Sequence, residues 1–320
     1  MADSTPRPLL GFCLSLIAAV MWGVLPVALK ELLAGMEATT IVWYRFLVAF
    51  VVLVLWLAVT RNLPRITSVS RRIQLFLFIA ALGLCANYSF FSYSLNYVNA
   101  ETSEAVIQLT TLFLILGGVL VYKESFFHIQ KLGTALIVAG LLLFFNDRLA
   151  TFTSLDNQET LGVIIVVFAA ITWVVYALLQ KQLLRSFSSV QILVCIYAVS
   201  IIALLPMISP ASVFDLTAWQ LGLLTFMCLN TLIAYGCFAE AMNCWEASKV
   251  SATLALAPLF TILTLKVIVL INPEYAFSDR LSLLSILGAI LLVLGSALTA
   301  LVPLFYQRRQ AARARATITS

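Results

Sequence analysis

Apolar runs of membrane-crossing length follow one another along almost the whole chain, and this removes most folds from consideration. A spanning helix needs about 20 predominantly apolar residues. Ten such runs read at 9–29, 39–60, 73–97, 103–121, 126–145, 160–180, 190–208, 217–241, 249–271 and 281–305. In hydrocarbon every backbone N–H and C=O must be bonded internally, so these runs fold as helices. The expected fold class is an all-α integral membrane protein of ten transmembrane helices. Of the 320 residues 62% are hydrophobic and 10% charged, against about 25% charged in soluble domains. The first run exceeds the apolar stretch of a signal peptide, about 7–15 residues, so it is expected to be a retained helix.

The ten runs repeat five by five. Gly11, Ala18, Ala19, Trp22, Lys30, Leu32 and Leu33 match Gly162, Ala169, Ala170, Trp173, Lys181, Leu183 and Leu184 in order and spacing. Tyr88, Phe91, Asn96, Ala100, Ala105, Leu109 and Phe113 match Tyr235, Phe238, Asn243, Ala247, Ala252, Leu256 and Phe260. Gly133, Leu136, Val138 and Gly140 match Gly288, Leu291, Val293 and Gly295. Apolar matches between membrane helices carry little information, but Trp and Lys are scarce there. The expected division is a first repeat at 1–146, a linker at 147–159, a second repeat at 160–306 and a basic tail at 307–320. An odd number of helices per repeat makes the second copy enter from the opposite side, giving two inverted halves. Such halves offer mirrored open states around a site at mid-membrane, the logic of alternating access.

Charge fixes the expected orientation. With the N-terminus inside, the inner segments hold Arg7, Arg61, Arg65, Arg71, Arg72, Lys123, Lys131, Lys181, Arg185, Lys249 and the tail arginines; the outer loops hold only Lys30, Arg148 and Arg280. By the positive-inside rule both termini are expected in the cytoplasm of a multi-pass inner-membrane protein. The net charge of +5 therefore belongs to loops that anchor topology beside the lipid bilayer, not to a nucleic-acid surface. The six cysteines, with no C-x-x-C pair, read as small core residues. A single histidine, His128, gives no metal centre, and no nucleophile elbow, phosphate loop or dinucleotide fingerprint is present. The chain reads as a non-enzyme without cofactor; its oligomeric state, homo-oligomer or monomer, stays open.

Several passages resemble the EamA-type ten-helix branch of the drug/metabolite transporter superfamily. They are GFCLSLIAAVMWGVLPVALKELL in the first helix, WYRF around Arg45, FSYSLNYVNAETSEAVIQLTTLF, Lys123-Glu124, ASKVSATLALAPLF and the paired glycines. The chain departs from the pattern in having Thr111 where the second half has Pro258, and in placing Glu274 a few residues beyond the ninth helix. The resemblance implies a cytoplasmic-membrane carrier for a small-molecule substrate, an amino acid or related compound, commonly an exporter. It also implies a central cavity lined by helices 1, 3, 4, 6, 8 and 9, with helices 5 and 10 as packing elements.

Polar and aromatic groups near mid-membrane are the substrate-binding candidates: Trp22, Asn87, Tyr88, Gln108, Thr111, Trp173, Asn230, Tyr235, Thr253 and Pro258. An amide in hydrocarbon requires a partner, so Asn87, Gln108 and Asn230 serve either as interhelical glue or as substrate contacts. The charged intramembrane residues are Arg45, Glu240 and Lys266. Lys266 is expected to snorkel outward. Arg45 is expected near the outer end of its helix, paired with Glu104, and Glu240, close to the cytoplasmic end of its helix, is the one carboxylate to weigh for proton relay, with coupling left open. A carrier of lipid-linked intermediates is the competing function, and the scarcity of interior positive charge beyond Arg45 and Lys266 counts against it.

Overall fold

The structure, a computed structural model, describes residues 7–123, 128–147, 157–245 and 247–299. The basic tail, Glu124 and most of the 147–159 linker lie outside the described residues. Within them all regular structure is helical. In chain order the helices are α1 (Pro8–Leu32), α2 (Ala38–Val59), α3 (Arg71–Ser94), α4 (Ala100–Ile107), α5 (Leu109–Tyr122), α6 (His128–Phe144), α7 (Gln158–Leu183), α8 (Ser189–Leu204), α9 (Ala218–Cys244), α10 (Ala247–Leu254) and α11 (Ala257–Ile271). The last is α12 (Leu283–Thr299). Eight spans are long and apolar enough to cross a membrane, with α4–α5 counted as one and α10–α11 as another; α6 and α12 are apolar but shorter.

Local chemistry sets the starts of several helices. Ser70 and Asn157 cap α3 and α7, while Ser188 with Gln191 and Thr217 with Gln220 form capping boxes on α8 and α9. Each satisfies backbone N–H groups that hydrocarbon could not. Lys123 closes α5 in the left-handed region, its N–H bonded to the carbonyl of Gly118. Large apolar side chains such as Leu55, Trp56, Leu120, Leu270 and Leu283 stand exposed around the bundle, a surface that only lipid accommodates.

The helices pack as reciprocal pairs. α1 lies along α9, and α3 along α7; α1 also packs against α10 and α11, and α7 against α4 and α5. Gly11 at the start of α1 abuts Trp245, whereas Gly162 at the start of α7 abuts Tyr97 and Val98. α6 and α12 meet glycine to glycine, Gly133 against the Gly295 carbonyl and Gly140 against the Gly288 carbonyl, where an added Cβ would lie 2.8 Å away in each case.

The fourth and ninth expected spans are each broken into two helices; a kink at Pro258 was legible in the sequence, the break in the fourth span was not. Pro258, the second residue of α11, explains one break by removing an N–H from the ladder. The break at Gln108 has no proline. There Thr110 Oγ donates 2.8 Å to the carbonyl of Ile107, and Gln108 Oε1 accepts a 3.2 Å bond from Ser296 of α12. Local side-chain bonds and a distant helix replace the proline.

Candidate functional site

Arg45 stands two turns into α2 and is only 3% exposed. Its Nε donates a 3.1 Å bond to Thr231 Oγ1 on α9, and its guanidinium lies 4.8 Å from the ring centre of Tyr88 on α3. Thr231 gives its own proton to the carbonyl of Met227 at 3.0 Å, which leaves its oxygen free to accept from Arg45. Among the described residues no carboxylate lies within ion-pair distance of Arg45, and its two Nη groups make no hydrogen bond. A cation in a low-dielectric interior costs several kcal/mol. The Tyr88 face offsets about 0.5–2 kcal/mol of that.

Four phenols gather around this cation. Tyr88, Tyr176 and Tyr197 lie in one buried cluster, and Tyr235 packs against it. Phe46 supports them from below, stacked on Tyr197 at 5.1 Å and tilted on Tyr88 at 4.8 Å. Trp22 meets Tyr235 edge-on at 5.3 Å and Phe238 at 5.9 Å; Trp173 meets Tyr176 edge-on at 6.5 Å. The cluster thus draws residues from α1, α2, α3, α7, α8 and α9. Helices α2 and α8, the second and seventh expected spans, were absent from the lining that the family resemblance implies.

Several expectations are corrected. The Arg45–Glu104 pair does not form: α2 packs against α3, α8 and α9, so Arg45 reaches across to Thr231. Arg45 is accordingly buried, not at the helix margin. Glu104 is 7% exposed, with neither a hydrogen bond nor an ion partner among the described residues. Glu240, the carboxylate weighed for proton relay, is exposed, while Glu101 and Glu104 are buried, Glu101 beneath Ser278 and Asp279 of the loop after α11. Lys266 is exposed on α11, as a snorkelling lysine requires. Of the cysteines read as core residues, Cys85, Cys195 and Cys228 are buried but Cys13 is exposed.

The amides hold helices together. Asn87 Nδ2 donates 2.9 Å to the carbonyl of Ala169, joining α3 to α7, and Asn230 Nδ2 donates 2.6 Å to that of Met21, joining α9 to α1. Gln108, Thr111, Thr253 and Pro258 sit on the broken spans, not on the helices that carry the tyrosines. Thr111 is half-buried; Gln108, Thr253 and Pro258 are buried. Sequence reading missed Tyr176, Tyr197 and Thr231. A phenol in the middle of an apolar run, as at Tyr197, was the available signal. Replacing Asn87 with Ala is expected to lower thermal stability by about 0.6–2 kcal/mol while leaving substrate preference unchanged, as thermal unfolding and a competition panel would measure.

Membrane-length helices, two of them broken, packed around a buried cation and a cluster of tyrosines make a polytopic membrane protein with a polar interior. The EamA-like transporter family matches residues 9–146 and again residues 160–301, and the chain belongs to that family. It is 43% identical over 295 residues to an uncharacterized transporter of Haemophilus influenzae, covering 92% of this chain and 96% of the relative. It is 39% identical over 293 residues to the uncharacterized inner membrane transporter YhbE of Escherichia coli K12, covering 91% of each. A probable amino-acid metabolite efflux pump of the same organism is 23% identical over 301 residues, covering 88% of this chain and 92% of the pump. A solved crystal structure superposes with a TM-score of 0.63 at 15% identity, over 91% of this chain and 96% of that one; this likeness concerns the fold alone.

Proposed function

We propose that the protein is a secondary carrier for a small carboxylate-bearing metabolite, an amino acid or close relative, which it exports across the inner membrane by alternating access. The observation that carries the reading is Arg45: a buried guanidinium with a free fork, held in place by Thr231 and Tyr88. A planar fork is matched by a carboxylate, two parallel bonds replacing lost hydration. The tyrosine hydroxyls supply neutral contacts nearby, and the tryptophans supply apolar walls.

The halves support the alternating part of the reading. Tyr88 and Tyr235, matched positions in the two halves, meet in one cluster, and the reciprocal pairing of α1–α9 with α3–α7 is what inverted repeats produce. Arg45 lies in α2 of the first half, and the second half offers no matching cation at the cluster, so one cation would serve both open states. The positive-inside bias puts both termini in the cytoplasm. On the face opposite Pro8 and Thr299, Glu101 Oε1 accepts from Ser278 Oγ at 2.8 Å and from the Asp279 N–H at 3.2 Å. Asp279 in turn accepts from Asn99 at 3.0 Å and Thr102 at 2.7 Å. Lys30 donates to the carbonyls of Leu95 and Val98 beside them. This network latches the second half onto the first and reads as a closed outer gate.

Counterflow in proteoliposomes tests the proposal. Labelled amino acids are expected to exchange, and their decarboxylated amines are expected not to compete. Lipid flipping without exchange of any carboxylate in a broad panel would favour the carrier of lipid-linked intermediates instead.

A further inference from the structure

On the face opposite Pro8 and Thr299, a cavity of about 260 Å³ opens between α4, α11 and the loop before α12. At about 30 Å³ per water it has room for a small headgroup, on the order of nine waters. Its polar wall is Glu101, Lys266, Ser278 and Arg280, and its apolar wall is Ile262, Val269 and Leu281. Lys266 emerges from a membrane-spanning helix whose neighbours Leu263, Val267 and Leu270 are exposed to lipid, and among the described residues it has no hydrogen bond or ion partner. Arg280 is pinned by an Nη2 bond of 2.7 Å to the carbonyl of Pro273, with backbone φ of 48°. Glu101 is 3% exposed, and its Oε2 has no partner although its Oε1 has two.

A lone ammonium on the lipid-facing surface, a second cation one loop away and apolar side chains lining the same cavity match a phosphate carried on a lipid, not one free in water. We propose that this cavity binds the headgroup of an outer-leaflet phospholipid, its phosphate between Lys266 and Arg280, its glycerol and first acyl carbons along Ile262, Val269 and Leu281. Glu101 favours a headgroup that carries a hydrogen-bond donor, such as ethanolamine. The cavity shares Glu101 and Ser278 with the outer latch, so a bound lipid braces the latch in its closed form. The site is independent of Arg45 and of the substrate assigned above.

The full chain is purified in detergent and thermal unfolding is followed as dioleoylphosphatidylethanolamine, dioleoylglycerol or inorganic phosphate is added. The phospholipid is expected to raise the midpoint by several degrees, dioleoylglycerol and inorganic phosphate not to, and the Lys266→Gln, Arg280→Gln double variant to lose the shift. An equal shift from dioleoylglycerol or from inorganic phosphate, or an undiminished shift in the variant, overturns the proposal. Should the variant not fold, the unaltered protein decides: a phosphatidylethanolamine with a photoreactive group on its glycerol should label peptides spanning 262–269 and 278–281. Labelling confined to other peptides overturns it.

Discussion

Replacing Arg45 with Met is expected to abolish carboxylate exchange in proteoliposomes while leaving the thermal midpoint of the purified protein equal to or above that of the parent. The two effects separate because they come from different states. With substrate bound, two charge-assisted bonds disappear at about 1.5–3 kcal/mol each, which is on the order of a hundredfold to ten-thousandfold in affinity at 1.4 kcal/mol per tenfold. Without substrate, the variant no longer holds an unpaired cation inside the bundle, so a desolvation cost of several kcal/mol is removed. Met keeps a flexible apolar contact with the Tyr88 ring; the bond to Thr231 goes, leaving an acceptor whose hydroxyl proton is still given to Met227. Arg45→Lys should fall between, with the charge kept and the fork lost. A midpoint that drops together with exchange would recast Arg45 as a packing residue and remove the carboxylate from the proposal.

The sequence reading reached the helices and stopped at what the loops do to them. Apolar length set most ends to within a few residues: the run at 39–60 is α2 at Ala38–Val59, and the run at 190–208 is α8 at Ser189–Leu204. Hydropathy is local, so it could not show that Gln108 is held by Ser296, 188 positions away, nor that its span breaks there. The same limit misplaced the acids. Position along the helices made Glu240 the carboxylate to weigh for proton relay and put Glu101 at the opening of its helix, but depth in a bundle is decided by what folds over the end. Ser278 and Asp279 cover Glu101, while Glu240 is exposed. At the site, Arg45, Tyr88, Tyr235 and both tryptophans were legible because charge and aromatic rings are rare at mid-membrane. Tyr176, Tyr197 and Thr231 were not, since only the packing of α7, α8 and α9 against α3 and α2 gives them a common target.

Replacing Gly288 with Leu is expected to separate α6 from α12 and leave little folded protein, a loss of about 3 kcal/mol or more. A Cβ at Gly288 would stand 2.6 Å from the carbonyl of Gly140 and 2.9 Å from the carbonyl carbon of Leu143; one at Gly140 would stand 2.7 Å from the Leu292 nitrogen. These are backbone atoms, which cannot swing aside as a side chain could. Overpacking in a tight interior typically costs about 1–3 kcal/mol through shifted neighbours, and here the shift also removes the dispersion contacts of two helices at closest approach. Lipid supplies no hydrophobic drive to reclose them, since helix association in a bilayer rests on packing. Gly140→Ala should show a smaller loss of the same kind. Gly236 on α9 gives the control: nothing lies within 4 Å of its Cβ position, so Gly236→Ala should leave stability unchanged or raise it by up to about 1 kcal/mol through helix propensity. Thermal unfolding and yield of monodisperse protein read all three. If Gly288→Leu were as stable as Gly236→Ala, the glycine seam between α6 and α12 would not be what joins them.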